Sequence, residues 1–246
     1  MPVKKILKST LIGAVALIII GTLGLVVWAT LGTRHAQDVA LAALESSDEV
    51  TVRQDDWIVF DPVSGTDVGM IFYPGGLVEA GAYAPVLHSI AEEDILVILT
   101  PMPLNLAILN TNAASSVIEA YPGVSEWIIA GHSLGGAAAA IYAENNPDDV
   151  DAVIFWDSFP AESADLSDND VEALSIFGTM DGYPNTDNFD DKRHLLPGDT
   201  LFVGIEGANH AQFGDYGTQA GDVTARISLR EQHDTVTSIM LDFIDP

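Results

Sequence analysis

From residue 57 onward the chain alternates short apolar runs with longer amphipathic stretches, and this rhythm restricts the fold more tightly than any other feature. The runs "WIVFDP", "DVGMIFYPG", "ILVILTPM", "EWIIAGHS", "VDAVIFWDS", "VEALSIFGTMD" and "TLFVGIEG" read as strands. The stretches "AYAPVLHSIAEED", "NLAILNTNAASSVIEAYP" and "LGGAAAAIYAENNP", a short segment near 186 to 196 and a last one within 222 to 244 read as helices. A strand that is apolar on both of its faces needs cover on both, and helices between successive strands supply it when the strands run parallel. The expected class is therefore α/β, with a mostly parallel, doubly wound sheet.

Residues 11–31, "LIGAVALIIIGTLGLVVWATL", stand apart as an uncharged apolar run. Its length matches the ~20 residues that cross a bilayer core. Lys4, Lys5 and Lys8 precede it and only Arg34 follows closely, so the positive-inside rule sets the N-terminus in the cytoplasm and exports the rest. A cleaved signal peptide is the competing reading, with Val27-Trp28-Ala29 as a small-residue cleavage site, but the run is longer than a usual apolar signal core. The expected division is a basic N-terminus (1–10), a transmembrane helix (11–31), a polar linker (32–55) and one folded domain (56–246). With 48% hydrophobic residues the last of these can bury a sizeable core.

Beyond residue 34, five basic residues face all 36 acidic ones. Such a surface repels nucleic acid and other polyanions, which are not expected as partners. It fits either adaptation to high salt or an ordinary acidic secreted protein. There is no cysteine, which excludes disulfides, thiolate metal sites and a thiol nucleophile.

In an open parallel sheet, ligands bind beyond the carboxyl ends of the strands. Gly75-Gly76, Ser133, Asp181 and His210 all stand just after apolar runs. Gly131-His132-Ser133-Leu134-Gly135 matches Gly-x-Ser-x-Gly between a strand and a helix, the context in which that motif presents a nucleophile on a sharp turn. A serine hydroxyl needs a base, and the base needs a carboxylate to orient it. In chains with this elbow, an acid and then a histidine follow in order. Asp181 in "FGTMDG" and His210 in "EGANHAQFG" meet that order, with Asp157 in "IFWDS" as the rival acid. Among the other histidines, His132 is expected to point away from the cleft and pack the elbow, and His35, His88, His194 and His233 to be linker, structural or surface residues. The backbone N–H of Leu134 is one expected oxyanion donor, and that of Gly76, or alternatively Leu77, the other.

The segments "YPGGLVEAGAYAPVL", "PMPLNLAIL", "WIIAGHSLGG", "FGTMDG" and "GANHAQFGDYGTQAGD" together resemble the bacterial alpha/beta hydrolase family with dienelactone-hydrolase-like relatives. The resemblance covers roughly residues 57 to 246. It implies the alpha/beta hydrolase fold, with Ser133 as nucleophile, Asp181 as acid and His210 as base. Relatives of the dienelactone hydrolase type use cysteine as nucleophile; serine at this position favours ordinary ester chemistry over lactone chemistry.

About a dozen residues separate the strand ending near Asp157 from the next, too few for a cap domain. An open cleft is expected, with Leu77, Trp156 and Phe159 as apolar substrate contacts. The functional expectation is an extracytoplasmic, membrane-anchored serine hydrolase acting on a small ester through an acyl-enzyme, without metal or organic cofactor. Acyl transfer or thioester cleavage at the same site, or a non-catalytic membrane-anchored scaffold, are the alternatives.

Overall fold

Strands β1 (Val50–Gln54), β2 (Ile58–Pro62), β3 (Val68–Tyr73), β4 (Leu96–Leu99), β5 (Glu126–His132), β6 (Ala152–Trp156), β7 (Glu172–Gly178) and β8 (Leu201–Ile205) form one sheet in the order β1-β2-β4-β3-β5-β6-β7-β8. The computed structural model describes residues 2–182 and 191–244. Pairings from β4 through β8 are all parallel, and β1 and β2 close one edge in antiparallel fashion. This is the expected mostly parallel α/β sheet.

Successive strand residues point to opposite faces. Met70 and Phe72 of β3 enter one buried cluster with Val97, Ile128, Ile154, Trp156 and Ile176, while Ile71 and Tyr73 enter another with Ile98, Ile129, Val153 and Phe155. Helices α3 (Ala84–Ala91) and α6 (Leu229–Ile244) cover the first face through Leu87, Ile90, Val236 and Met240. Helices α4 (Ala113–Ala120) and α5 (Leu134–Asn145) cover the second through Val117, Ala138, Ala139 and Tyr142. The alanines of α5 keep that helix close to the strands it follows. The segment 105–122, expected as one helix, starts at the end of a 3₁₀ turn (Pro103–Asn105), makes a second (Ala107–Leu109) and only then the shorter α4.

Of the stretch 32–55, expected as a linker, residues 34–55 are part of the folded unit. Helix α2 (Asp38–Ala42) buries Ala40, whose N–H donates to the Asp215 carboxylate at 2.9 Å, and β1 pairs with β2 along its whole length. The folded unit spans Arg34–Pro246, and Met1–Thr33 forms a unit of its own. The latter is helix α1 (Pro2–Gly32), whose Gly13–Gly32 portion has a mean hydropathy of 2.4 and is long and apolar enough to cross a membrane.

Between Trp156 and Glu172 the described backbone makes only turns and bends, so no cap covers the sheet there. Of the short helix expected near 186 to 196, residues 186–190 lie outside the described residues; residues 191–192 are helical and Arg193–Leu195 is a 3₁₀ turn. Strand order reverses between β3 and β5, since β4 lies to one side of β3 and β6 to the far side of β5. A crevice opens at such a switch point. The loops leaving these two strands carry Gly75-Gly76 and Ser133.

Candidate active site

Ser133 stands between β5 and α5 with φ 51° and ψ −121°, a backbone conformation that non-glycine residues rarely adopt. Neighbours hold it there. Its N–H donates to the Trp156 carbonyl at 3.1 Å, and its own carbonyl accepts the Ser158 hydroxyl at 2.6 Å. A Cβ on Gly135 would overlap the Tyr73 carbonyl, and one on Gly131 would overlap the Gly135 backbone. The turn therefore needs glycine at both positions, and α5 directs its N-terminal N–H groups at the serine.

After β3, the Gly75 N–H donates to the Tyr83 hydroxyl at 3.0 Å. Leu77, at φ 57°, donates its N–H to the Asn105 carbonyl at 2.7 Å and so is engaged. The N–H groups of Gly76 and Leu134 have no acceptor among the described residues. Both residues line a cavity of about 230 Å³ together with Leu77, Ser133 and His210.

His210 follows β8 and is buried. Its Nδ1 lies 2.8 Å from Asp157 Oδ2, with both side chains only 5% exposed. The acid expected from the sequence is Asp181; the carboxylate hydrogen-bonded to His210 Nδ1 is that of Asp157. Asp157 sits at the end of β6 with φ 45°, its N–H donating to the Ile176 carbonyl at 2.7 Å and its Oδ1 accepting the Gly178 N–H at 3.4 Å. Asp181 is close by: it, Asp157 and His210 each offer a ligand atom within 4.8 Å of the others. A metal ion held by this trio would have to compete with the Asp157–His210 hydrogen bond.

Two expected contacts fall elsewhere. Trp156 is fully buried, its ring 4.6 Å from that of Phe72 and its Nε1–H directed at Met240 Sδ at 3.3 Å, so it is core and not rim. Phe159 is half-buried and does not line the cavity. Leu77 does line it.

A family model described as "Alpha/beta hydrolase family" matches residues 69–234, which include the elbow, Asp157 and His210. The chain belongs to the alpha/beta hydrolase family. No curated protein matches it. Among solved structures, an alpha/beta hydrolase enzyme from the metagenome of lagoon sediments at Mar Chica, Morocco, is similar at 16% identity and a TM-score of 0.59, over 81% of this chain and 100% of that one. Est1E from Butyrivibrio proteoclasticus with ferulic acid bound is similar at 14% identity and a TM-score of 0.58, over 82% and 98%. A dienelactone hydrolase from Anabaena variabilis is similar at 17% and 0.57, over 79% and 98%. At these identities the likeness is one of fold.

In this alpha/beta hydrolase, burial pulls the His210 pKa down, but the hydrogen bond and charge of Asp157, helped by Asp181 and Asp222, outweigh it and the net shift is upward from 6.5. His132 is fully buried. Burial and the neighbouring His210 hold its pKa well below 6.5, so it is neutral. The Tyr83 hydroxyl, already accepting from Gly75, lies 2.8 Å from His132 Nδ1, and the His132 ring is 4.4 Å from that of His210 and stacked on Phe213. His132 does pack the elbow, as expected, but it also reaches the cavity wall. Arg34 and Gln219 line the same cavity. Neither was legible as a site residue: Arg34 read as a charge flanking the apolar run, and Gln219 lies in a loop without a motif.

Proposed function

We propose that the protein is a serine hydrolase that cleaves small esters through a covalent acyl-enzyme. Ser133 is the nucleophile, His210 the general base and Asp157 the carboxylate that orients His210. The observation that carries this reading is Ser133 held at positive φ on a strand-to-helix turn, sharing a cavity with a histidine whose Nδ1 is bonded to a buried carboxylate.

With Asp157 accepting the Nδ1 proton, His210 presents an unprotonated Nε2 to the serine hydroxyl. Ser133 Oγ attacks the ester carbonyl carbon as its proton passes to Nε2. The carbonyl oxygen gains negative charge and takes up the Leu134 and Gly76 N–H groups, donors that need no rearrangement at that moment. Collapse breaks the bond to the leaving alcohol, which departs with the proton from Nε2. Water then attacks the acyl-enzyme by the same route and releases the acid. The uncapped crevice and a cavity of about 230 Å³ favour small acyl groups over long chains. A monoacylglycerol lipase and a dienelactone hydrolase among the solved structures of this fold are in keeping with ester chemistry. The apolar Gly13–Gly32 stretch of α1 and the lysines that precede that stretch favour a single-pass anchor with the hydrolase unit outside the cytoplasm.

A fluorophosphonate probe tests the nucleophile. Labelling of the wild type and its loss in Ser133→Ala and His210→Ala is the expected result, and a folded wild type that stays unlabelled would refute the reading. For the acid, Asp157→Asn is expected to lower kcat by about 10³- to 10⁴-fold, by analogy with other orienting carboxylates. Asp181→Asn should cost far less; the reverse ranking would return the role to Asp181.

A further inference from the structure

Among the described residues Arg34 is a cation without a side-chain partner in an acidic protein, and it lines the cavity that contains Ser133. Its backbone is clamped to the loop after β3: the Arg34 N–H donates to the Leu77 carbonyl at 2.8 Å, and the Arg34 carbonyl accepts the Glu79 N–H at 2.9 Å. The loop that carries Gly76 thus fixes where the arginine starts. Glu79 is the nearest acid along that loop, but its carboxylate is taken by the Ala36 N–H at 3.0 Å and His35 Nδ1 at 3.3 Å. Among the described residues, the Arg34 guanidinium has neither hydrogen bond nor ion pair. Arg53, Lys192 and Arg230 each reach a carboxylate, so lack of acids does not explain the difference. The Arg34 charge acts on the buried Tyr83 and Tyr216 hydroxyls, and Gln219, polar and neutral, lines the same cavity. A half-buried guanidinium left unpaired forgoes the hydrogen bonds that its desolvated donors require.

We infer that Arg34 is an anion-binding, specificity-determining residue of this site, and that the substrate class is a small ester carrying a free carboxylate. This rests on the hydrolase reading of Ser133 and narrows it. The planar guanidinium fork matches a carboxylate with two parallel N–H donors. One charge is what the site accepts. Asp157, Asp181 and Asp222 stand beside His210, and the formal net charge of −27 repels polyanions, whereas an arginine at contact distance acts within the range that salt screens least. The carboxylate takes no part in bond making; it seats the substrate so that the ester carbonyl meets Ser133.

The test compares mono-p-nitrophenyl adipate, which carries a carboxylate, with neutral p-nitrophenyl hexanoate on the full-length protein in detergent. The wild type is expected to favour the adipate ester in kcat/KM by about tenfold or more, the range of a charge-assisted hydrogen bond. Arg34→Gln should reduce that ratio by about tenfold, and Arg34→Lys by less. A wild type without preference for the adipate ester, or a ratio unchanged in Arg34→Gln, would overturn the inference. Calorimetry with monomethyl adipate provides a readout independent of turnover: binding to Ser133→Ala should weaken about tenfold in Ser133→Ala/Arg34→Gln, and equal binding would overturn the inference. Fluorophosphonate labelling separates the two readings. A labelled enzyme indifferent to Arg34 keeps its nucleophile and loses the carboxylate subsite. An unlabelled protein that binds monomethyl adipate through Arg34 keeps the subsite and loses the hydrolase reading.

Discussion

His210 is buried beside Asp157 and takes an upward pKa shift from it, which fixes the sign of its pH response. In the proposed mechanism a protonated imidazole cannot accept the serine proton, so kcat/KM should fall on acidification with a midpoint above the 6.5 of an ordinary histidine. In Asp157→Asn the residual activity should show that midpoint displaced to lower pH, because burial would act without the compensating charge. A pH–rate profile of both proteins checks this, and a midpoint that does not move would leave Asp157 without its orienting role. Gly135 gives a second test. Any side chain there meets the Tyr73 carbonyl, a backbone atom that cannot swing aside. Gly135→Ala should therefore destabilise the protein by at least about 2 kcal/mol, the range of overpacked sites, read as a lower urea midpoint.

Strand β6 illustrates how an element, and not a single residue, determines who serves the site. Its last residue Trp156 and the following Asp157 face opposite tasks: the indole fills the core under α6, and the carboxylate meets His210. Trp156→Ala should lower the unfolding free energy by about 3 to 5 kcal/mol in chemical denaturation, as large-to-small changes at buried aromatics do. A Trp156 at the rim would instead alter KM and leave stability alone. The elbow, the apolar strands and the position of His210 were legible from sequence because each is a local pattern: a motif, an alternation, a residue after a run. The partner of His210 was not. Asp157 and Asp181 both follow strands in the same chain order, and only the path of the loop after β8 brings His210 to the end of β6. Strand β1 was missed for a related reason, since one edge strand with three of its five residues exposed carries little apolar signal.

For the molecule as a whole, 36 acidic residues against nine basic ones act through the long-range field. Self-repulsion weakens the folded state at low ionic strength, and salt screens it. Thermal unfolding should move to higher temperature as potassium chloride is raised from about 0.05 M to about 1 M, where the Debye length falls to about 3 Å. A melting temperature that stays flat over this range would show that the acidic surface carries no stability penalty. The amino-acid sequence by itself determined the α/β class, the apolar N-terminal helix, the Gly-x-Ser-x-Gly turn and the family, because these follow from periodicity and short-range sterics. Only the tertiary structure decided that Asp157 bonds His210, that Trp156 lies in the core, that residues 35–55 join the folded unit, and that Arg34 reaches the cavity. Each is a meeting of groups distant along the chain, set by strand order and loop packing, which local patterns do not encode.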